Sequence, residues 1–190
     1  YGLLYKMFHD FNEREKSLFL THDDIDHVGL MPLFDRVYVS WNCYENFRLE
    51  SEHKDNFREQ NKYHAPYCRL SKIIAEYETP NLNKLCVVGR KETDAVLEKI
   101  GEFEFSGIGF DVLEGNGGHV KGETVLISYE DKLVFTGDIF VNIQGFSEDQ
   151  YEFNLIAPYL MTSVNMDSQK AKICRHELTG RVHGFFVCPG

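Results

Sequence analysis

Apolar residues recur along this chain with two periods. At Leu3, Leu4, Met7, Phe8 and Phe11 they fall three or four apart, which predicts an opening amphipathic helix. Leu18, Phe19 and Leu20 form a short continuous apolar run, the pattern of a strand buried on both faces in a parallel sheet. A helical turn is predicted over residues 31–35 and a second short strand over 36–40, so the chain begins with the strand, helix, strand rhythm of an α/β layer. Residues 42–78 are rich in charged and aromatic side chains and predict two helices. The second of these carries Tyr67, Leu70, Ile73, Ile74 and Tyr77 at the spacing of an apolar face.

The second half is dominated by strands. Residues 85–88 predict one, and residues 101–105 and 108–113 alternate with the period of two that places one face on a core. Ser106 and Gly107 between them suit a two-residue hairpin turn. Residues 124–129 and 133–138 form a further hairpin around Glu130 and Asp131, and its second strand ends in Asp138. Two helices follow over 147–161 and 167–178, with Ser147 and Asp167 as N-caps, then a last strand over 184–188.

Length and composition bound the rest. With 190 residues, 43% hydrophobic and 26% charged, the sequence fits one globular domain over 1–190. No apolar run approaches the roughly 20 residues of a membrane span, and the first residues lack a signal-peptide pattern. The formal net charge of -10 argues against binding a nucleic-acid backbone through a broad basic surface. Five cysteines, an odd number without a CxxC pair, point to reduced thiols acting as small apolar residues in a cytoplasmic compartment.

The chemistry is concentrated directly after the first apolar strand, where His22, Asp24, Asp26 and His27 lie within six residues. Imidazole together with carboxylate suits zinc, iron or manganese, and a cation lets neighbouring carboxylates remain charged together. Asp138 ends a later strand in the same manner, and the glycine-rich turn 114–119 ends in His119. Glycines there allow a sharp turn that brings one side chain toward a site. His53, His64 and His176 lie in polar helical surroundings and read as surface or core residues, His64 being the best placed to touch a substrate.

The order THDDIDHVG, GGH, FTGD and VCPG resembles the metallo-β-lactamase fold superfamily of metallo-hydrolases. Its first motif, THxHxDHxG, is matched at Thr21, His22, Asp26, His27 and Gly29, with Asp24 where the second histidine normally stands. The resemblance assigns His22, Asp24 and His119 to one divalent metal ion and Asp26 and His27 to a second, with Asp138 bridging both. It implies an αβ/βα sandwich in which metal-bound hydroxide is the nucleophile, with Asp26 and Asp138 as catalytic carboxylates. Family members begin with strands that precede the opening helix and carry a further histidine after a PG pair. The chain is therefore expected to lack its N-terminal strands and to be a fragment of a longer protein, and an exposed sheet edge would invite pairing between copies.

Three functions stay open on these residues. The leading one is a dinuclear hydrolase of a small-molecule ester, thioester, phosphoester or amide. Asp24 makes the site harder and more anionic, as the acidic residue of the HxExDH motif does in flavodiiron proteins, so a diiron redox or oxygen-sensing role is the alternative. The third is a metal-stabilised domain that binds a partner.

Overall fold

The computed structural model describes residues 12–140, 147–149 and 165–189, together with Lys6 and Asp10. The opening helix predicted on Leu3 to Phe11, and most of the helix predicted over 147–161, lie outside the described residues. In chain order the elements are β1 (Ser17–Phe19), α1 (Ile25–Val28), β2 (Arg36–Val39), α2 (Trp41–Ser51), α3 (Ala65–Ile74), β3 (Leu85–Val87), β4 (Leu97–Phe105), β5 (Ile108–Gly115), β6 (Thr124–Ser128), β7 (Leu133–Phe135), α4 (Ser168–Arg181) and β8 (Phe186–Cys188). β1, β2 and β3 form a parallel sheet in that order. The remaining five strands form a second sheet in sequence order, antiparallel from β4 to β7 and parallel between β7 and β8.

Each sheet buries its outer face under helices and its inner face against the other sheet. On one side Val37 and Val39 of β2 pack with Val28 of α1 and with Cys43 and Phe47 of α2. On the other, Leu113, Val125, Ile127 and Val134 pack with Cys174 and Leu178 of α4. Between the sheets Phe110, Val112 and Leu126 form a third cluster, against which Phe19 and Phe103 pack. The Phe103 ring lies 5.0 Å from that of Phe19 and 4.8 Å from that of Tyr38, edge or tilted contacts that suit aromatic quadrupoles. The result is helix, sheet, sheet, helix: the expected αβ/βα sandwich.

Local signals account for several element ends. Ser40 caps α2 by accepting a bond from Cys43 N, Pro66 occupies the first turn of α3, and Asp167 caps α4 by accepting from Gln169 N and Lys170 N. Ser106 and Gly107 turn the β4–β5 hairpin with φ of 53° and 83°, both in the left-handed region. β4 starts at Leu97 rather than at residue 101, because a bulge between Lys99 and Gly101 breaks the alternation there.

One expectation is overturned. Of the apolar face predicted for α3, Tyr67, Leu70, Ile73 and Ile74 are all exposed, the last two more than 70%. The helix buries Ala65 and Cys68 near its start, Tyr77 beyond its end packs on the core, and between them the inward side is polar. Lys72 Nζ lies 2.6 Å from Glu50 Oε1 and 3.1 Å from Glu59 Oε2, and the Tyr77 hydroxyl donates to Glu50 Oε2 at 2.7 Å. A buried charge must be paired, so the two carboxylates turn the helix with Lys72 inward, and periodicity alone misassigned its face.

Candidate metal centre

The site is assembled where β1 and β7 end. After Leu20 the chain leaves β1 through Thr21, His22, Asp23 and Asp24, and α1 carries Asp26 and His27. Asp138 lies in the short 3-10 turn Gly137–Ile139 after β7. His119 ends the glycine-rich turn, which α4 clamps: Asp167 N donates to Gly118 O and Met166 N to His119 O, each at 2.8 Å. A Cβ on Gly118 would stand 2.1 Å from Ala171 N, so only glycine lets the first turn of α4 sit this close.

Five of the six residues expected to bind metal fall into two groups of ligand atoms, and Asp24 belongs to neither, its Oδ2 lying 3.2 Å from His119 Nε2. Ligand atoms of His22, His119 and Asp138 lie within 4.8 Å of one another, as do those of Asp26, His27 and Asp138. Asp138 is common to both groups, with Oδ1 3.3 Å from His27 Nε2 and Oδ2 3.7 Å from His119 Nε2. The His22 ring centre lies 4.1 Å from that of His27 and 5.0 Å from that of His119.

Two orphaned atoms test whether a metal fits. Nε2 of His22 and Nε2 of His119 are buried and make no well-directed hydrogen bond, although Asp24 Oδ2 lies 3.2 Å from the latter. Their Nδ1 atoms are engaged, His22 with Thr21 Oγ1 at 3.1 Å and His119 with Asn165 Oδ1 at 3.2 Å. The amide oxygen of Asn165 can only accept, so Nδ1 of His119 carries a proton and Nε2 presents its lone pair to the site when the ring is neutral. Leaving such atoms buried and unpaired is costly, and a cation between them removes the cost.

Charge follows the same geometry. Burial holds the His22 imidazole far below its ordinary range, at about 3. Burial also opposes a charge on His119, but the Asp24 carboxylate beside it prevails and lifts it to about 9. The contact with Asp138 raises His27. Asp138 itself is lowered: burial works against its charge, and the three histidines outweigh burial. Glu123, buried behind His22 with Oε1 4.0 Å from His22 Nδ1, is pushed up by burial to about 7.

Asp24 has a partner that no local pattern announces. Its carboxylate accepts two bonds from Arg58, Nε to Oδ1 at 2.8 Å and Nη2 to Oδ2 at 2.5 Å. Burial would raise Asp24, but contact with His119 and the Arg58 guanidinium hold it far below the usual carboxylate range. Arg58 is only 5% exposed, and beyond it His64 Nδ1 lies 3.5 Å from Nη1. His64 therefore backs an arginine rather than facing a substrate.

A cavity of about 160 Å³ opens beside these residues, lined among others by Asp24, Asp26, Arg58, Tyr67, His119 and Asp138. Asp26 stands at its rim with its side chain 75% exposed, 3.8 Å from His27 Nε2. Four of the six candidate ligands, Asp24, Asp26, His119 and Asp138, line this recess. The cysteines stay outside both groups, and Cys43, Cys68 and Cys174 are buried as expected.

Comparison of the sequence with protein families and with curated proteins finds no match. Solved structures do match. A chemotaxis sensor, ODP, described as a peroxy diiron species, superposes over 100% of this chain and 69% of its own, at 15% identity and a TM-score of 0.52. An N-acyl homoserine lactone hydrolase, described with a product at its catalytic metal centre, matches over 100% and 60%, at 14% identity and a TM-score of 0.52. The BLEG-1 B3 metallo-β-lactamase matches over 100% and 75%, at 15% identity and a TM-score of 0.54. The chain thus spans 60 to 75% of the length of these three. At these identities the likeness is one of architecture, and by it the chain has the metallo-β-lactamase fold.

Proposed function

We propose that the chain binds two divalent metal ions and acts as a hydrolase of a small-molecule ester, thioester, phosphoester or amide. The observation that carries this reading is Asp138, whose two oxygens turn toward histidines of different ligand groups. A carboxylate so placed can bridge two cations, and orphaned histidine nitrogens are available on one side of it. His22, His119 and Asp138 would hold the first ion, with Asp24 Oδ2 at its edge. Asp26, His27 and Asp138 would hold the second.

Bound ions would supply Lewis acidity, lowering the pKa of a water and offsetting charge that develops on a substrate oxygen. The chain's own residues do the rest. Asp138 would contribute an oxygen to each ion, and Asn165 and Thr21 fix the rotation of His119 and His22. Asp26, exposed at the rim of the cavity, is the carboxylate placed to accept the proton of the attacking water. The cavity suits a small molecule, and the wall formed by Tyr67 gives it one aromatic surface.

Asp138→Ala tests the reading. It is expected to strip most bound metal and to lower hydrolysis of a general ester and phosphoester panel by at least a hundredfold, while the fold is retained by circular dichroism. Full metal content and full activity in that variant would end the proposal. A diiron redox function is the second reading, favoured by the carboxylate at Asp24 and by the likeness to the diiron sensor. Iron-loaded protein that shows no change in visible absorption between anaerobic and oxygenated buffer removes it.

A further inference from the structure

The anionic character that Asp24 lends to the first position is offset inside the protein. A histidine in its place would be neutral, whereas a free carboxylate adds one negative charge to a group that already contains Asp138. Arg58 meets that carboxylate with two parallel bonds of 2.8 and 2.5 Å, a fork that fixes the plane of Asp24 and places one positive charge against it. Because Arg58 is nearly buried, solvent screens this pair little. The pair leaves Oδ2 of Asp24 3.2 Å from His119 Nε2 and 3.7 Å from His22 Nε2.

We infer that Arg58 is a positioning residue that sets metal preference: it pairs with Asp24 so that the two together present an oxygen to the first metal position with no added net charge. The inference rests on the two-ion reading of the site. It also separates two properties that the sequence joins, because a carboxylate in the first motif contributes a hard oxygen while Arg58 withdraws its charge. A carboxylate that shares its electrons with a guanidinium is a weaker donor to a cation than a free one. The preference for iron or manganese over zinc that Asp24 alone suggests is thereby reduced. His64, buried to 2% exposure behind Nη1, supplies a neutral wall: burial first, and then the Arg58 charge, keep its imidazole below the ordinary range.

The test is a double-mutant cycle read by metal binding rather than by turnover. Metal-free wild type, Asp24→Asn, Arg58→Gln and the double variant are titrated anaerobically with zinc, manganese and ferrous ions, with stoichiometry and dissociation constants measured for each. Asp24→Asn removes the carboxylate that faces Arg58 while the guanidinium stays within a few ångströms of the first position, and it is expected to weaken one of the two ions roughly 10- to 100-fold. Adding Arg58→Gln is expected to recover most of that loss. A double variant as weak as Asp24→Asn overturns the inference, since Asp24 would then act by its own charge. Should Asp24→Asn fail to fold, Arg58→Gln alone decides: the ratio of manganese to zinc affinity is expected to rise at least tenfold, and an unchanged ratio overturns the inference. Wild type that binds none of the three ions removes the two-ion reading and the inference together. Wild type that binds two ions, with no coupling in the cycle, removes the inference alone.

Discussion

The carbonyl of Thr21 accepts two bonds from Thr124, one from its backbone nitrogen at 2.9 Å and one from its hydroxyl at 3.0 Å. Thr21 leaves the parallel sheet and Thr124 begins β6 of the other, so this contact fixes the His22 loop relative to the sheet that carries Asp138. Thr124→Val keeps the backbone bond and removes the hydroxyl at nearly constant volume. It is expected to cost about 1 kcal/mol in urea unfolding and to weaken metal binding without abolishing it. A variant equal to wild type in both measurements would show that the hydroxyl bond does not hold the two sheets in register.

The glycine-rich turn should tolerate no side chain at Gly118. A Cβ there meets the backbone of Ala171 at 2.1 Å, so α4 must move and draw Asn165 and His119 with it. Gly118→Ala is expected to destabilise the protein by at least 2 kcal/mol and to lower metal content. Thermal unfolding and elemental analysis of the same sample separate the two effects.

Stability and metal affinity should respond to pH in opposite directions. His119 rises from 6.5 to about 9 in the metal-free protein. A base so raised contributes its full stabilisation below pH 6.5 and loses it as pH climbs through 9, an upper bound on the order of 3 kcal/mol. Denaturant unfolding in chelator should therefore show falling stability from pH 7 to 9. Metal binding requires the neutral ring, so affinity should increase over the same window with release of a proton. Calorimetric titration in buffers of different ionisation enthalpy measures that proton, and a metal affinity independent of pH between 7 and 9 would contradict the assignment.

The polar mounting of α3 makes its own prediction. Lys72→Met would leave Glu50 and Glu59 facing each other without a cation. Because the Lys72 side chain is 23% exposed, the cost should fall below that of a fully buried pair, at about 2 kcal/mol. A urea midpoint unchanged from wild type would mean that apolar contacts hold the helix after all.

Much of the fold and of the centre could be read from the order of residues, for a definable reason. His22, Asp24, Asp26 and His27 lie in one loop and one short helix, so their proximity is local, and the apolar run before them places that loop at a strand end. The alternation in residues 108–113 and the Ser106-Gly107 turn likewise act over neighbouring positions. Asp167 as a cap is the same kind of signal.

What only the tertiary structure decided are contacts between residues far apart in the chain. Arg58 and Asp24 are separated by 34 positions, and nothing near either one specifies the other. Periodicity places the apolar face of α3 inward because it ranks residues by hydrophobicity, whereas carboxylates of α2 and of the 52–64 connection draw Lys72 inward. The start of β4 is not legible in the pattern because a bulge breaks the period that marks a strand. The sequence by itself determined which side chains could bind metal and that they would meet at strand ends. Packing decided which of those charges is compensated, because burial removes water and each buried ion must then find its partner within the fold.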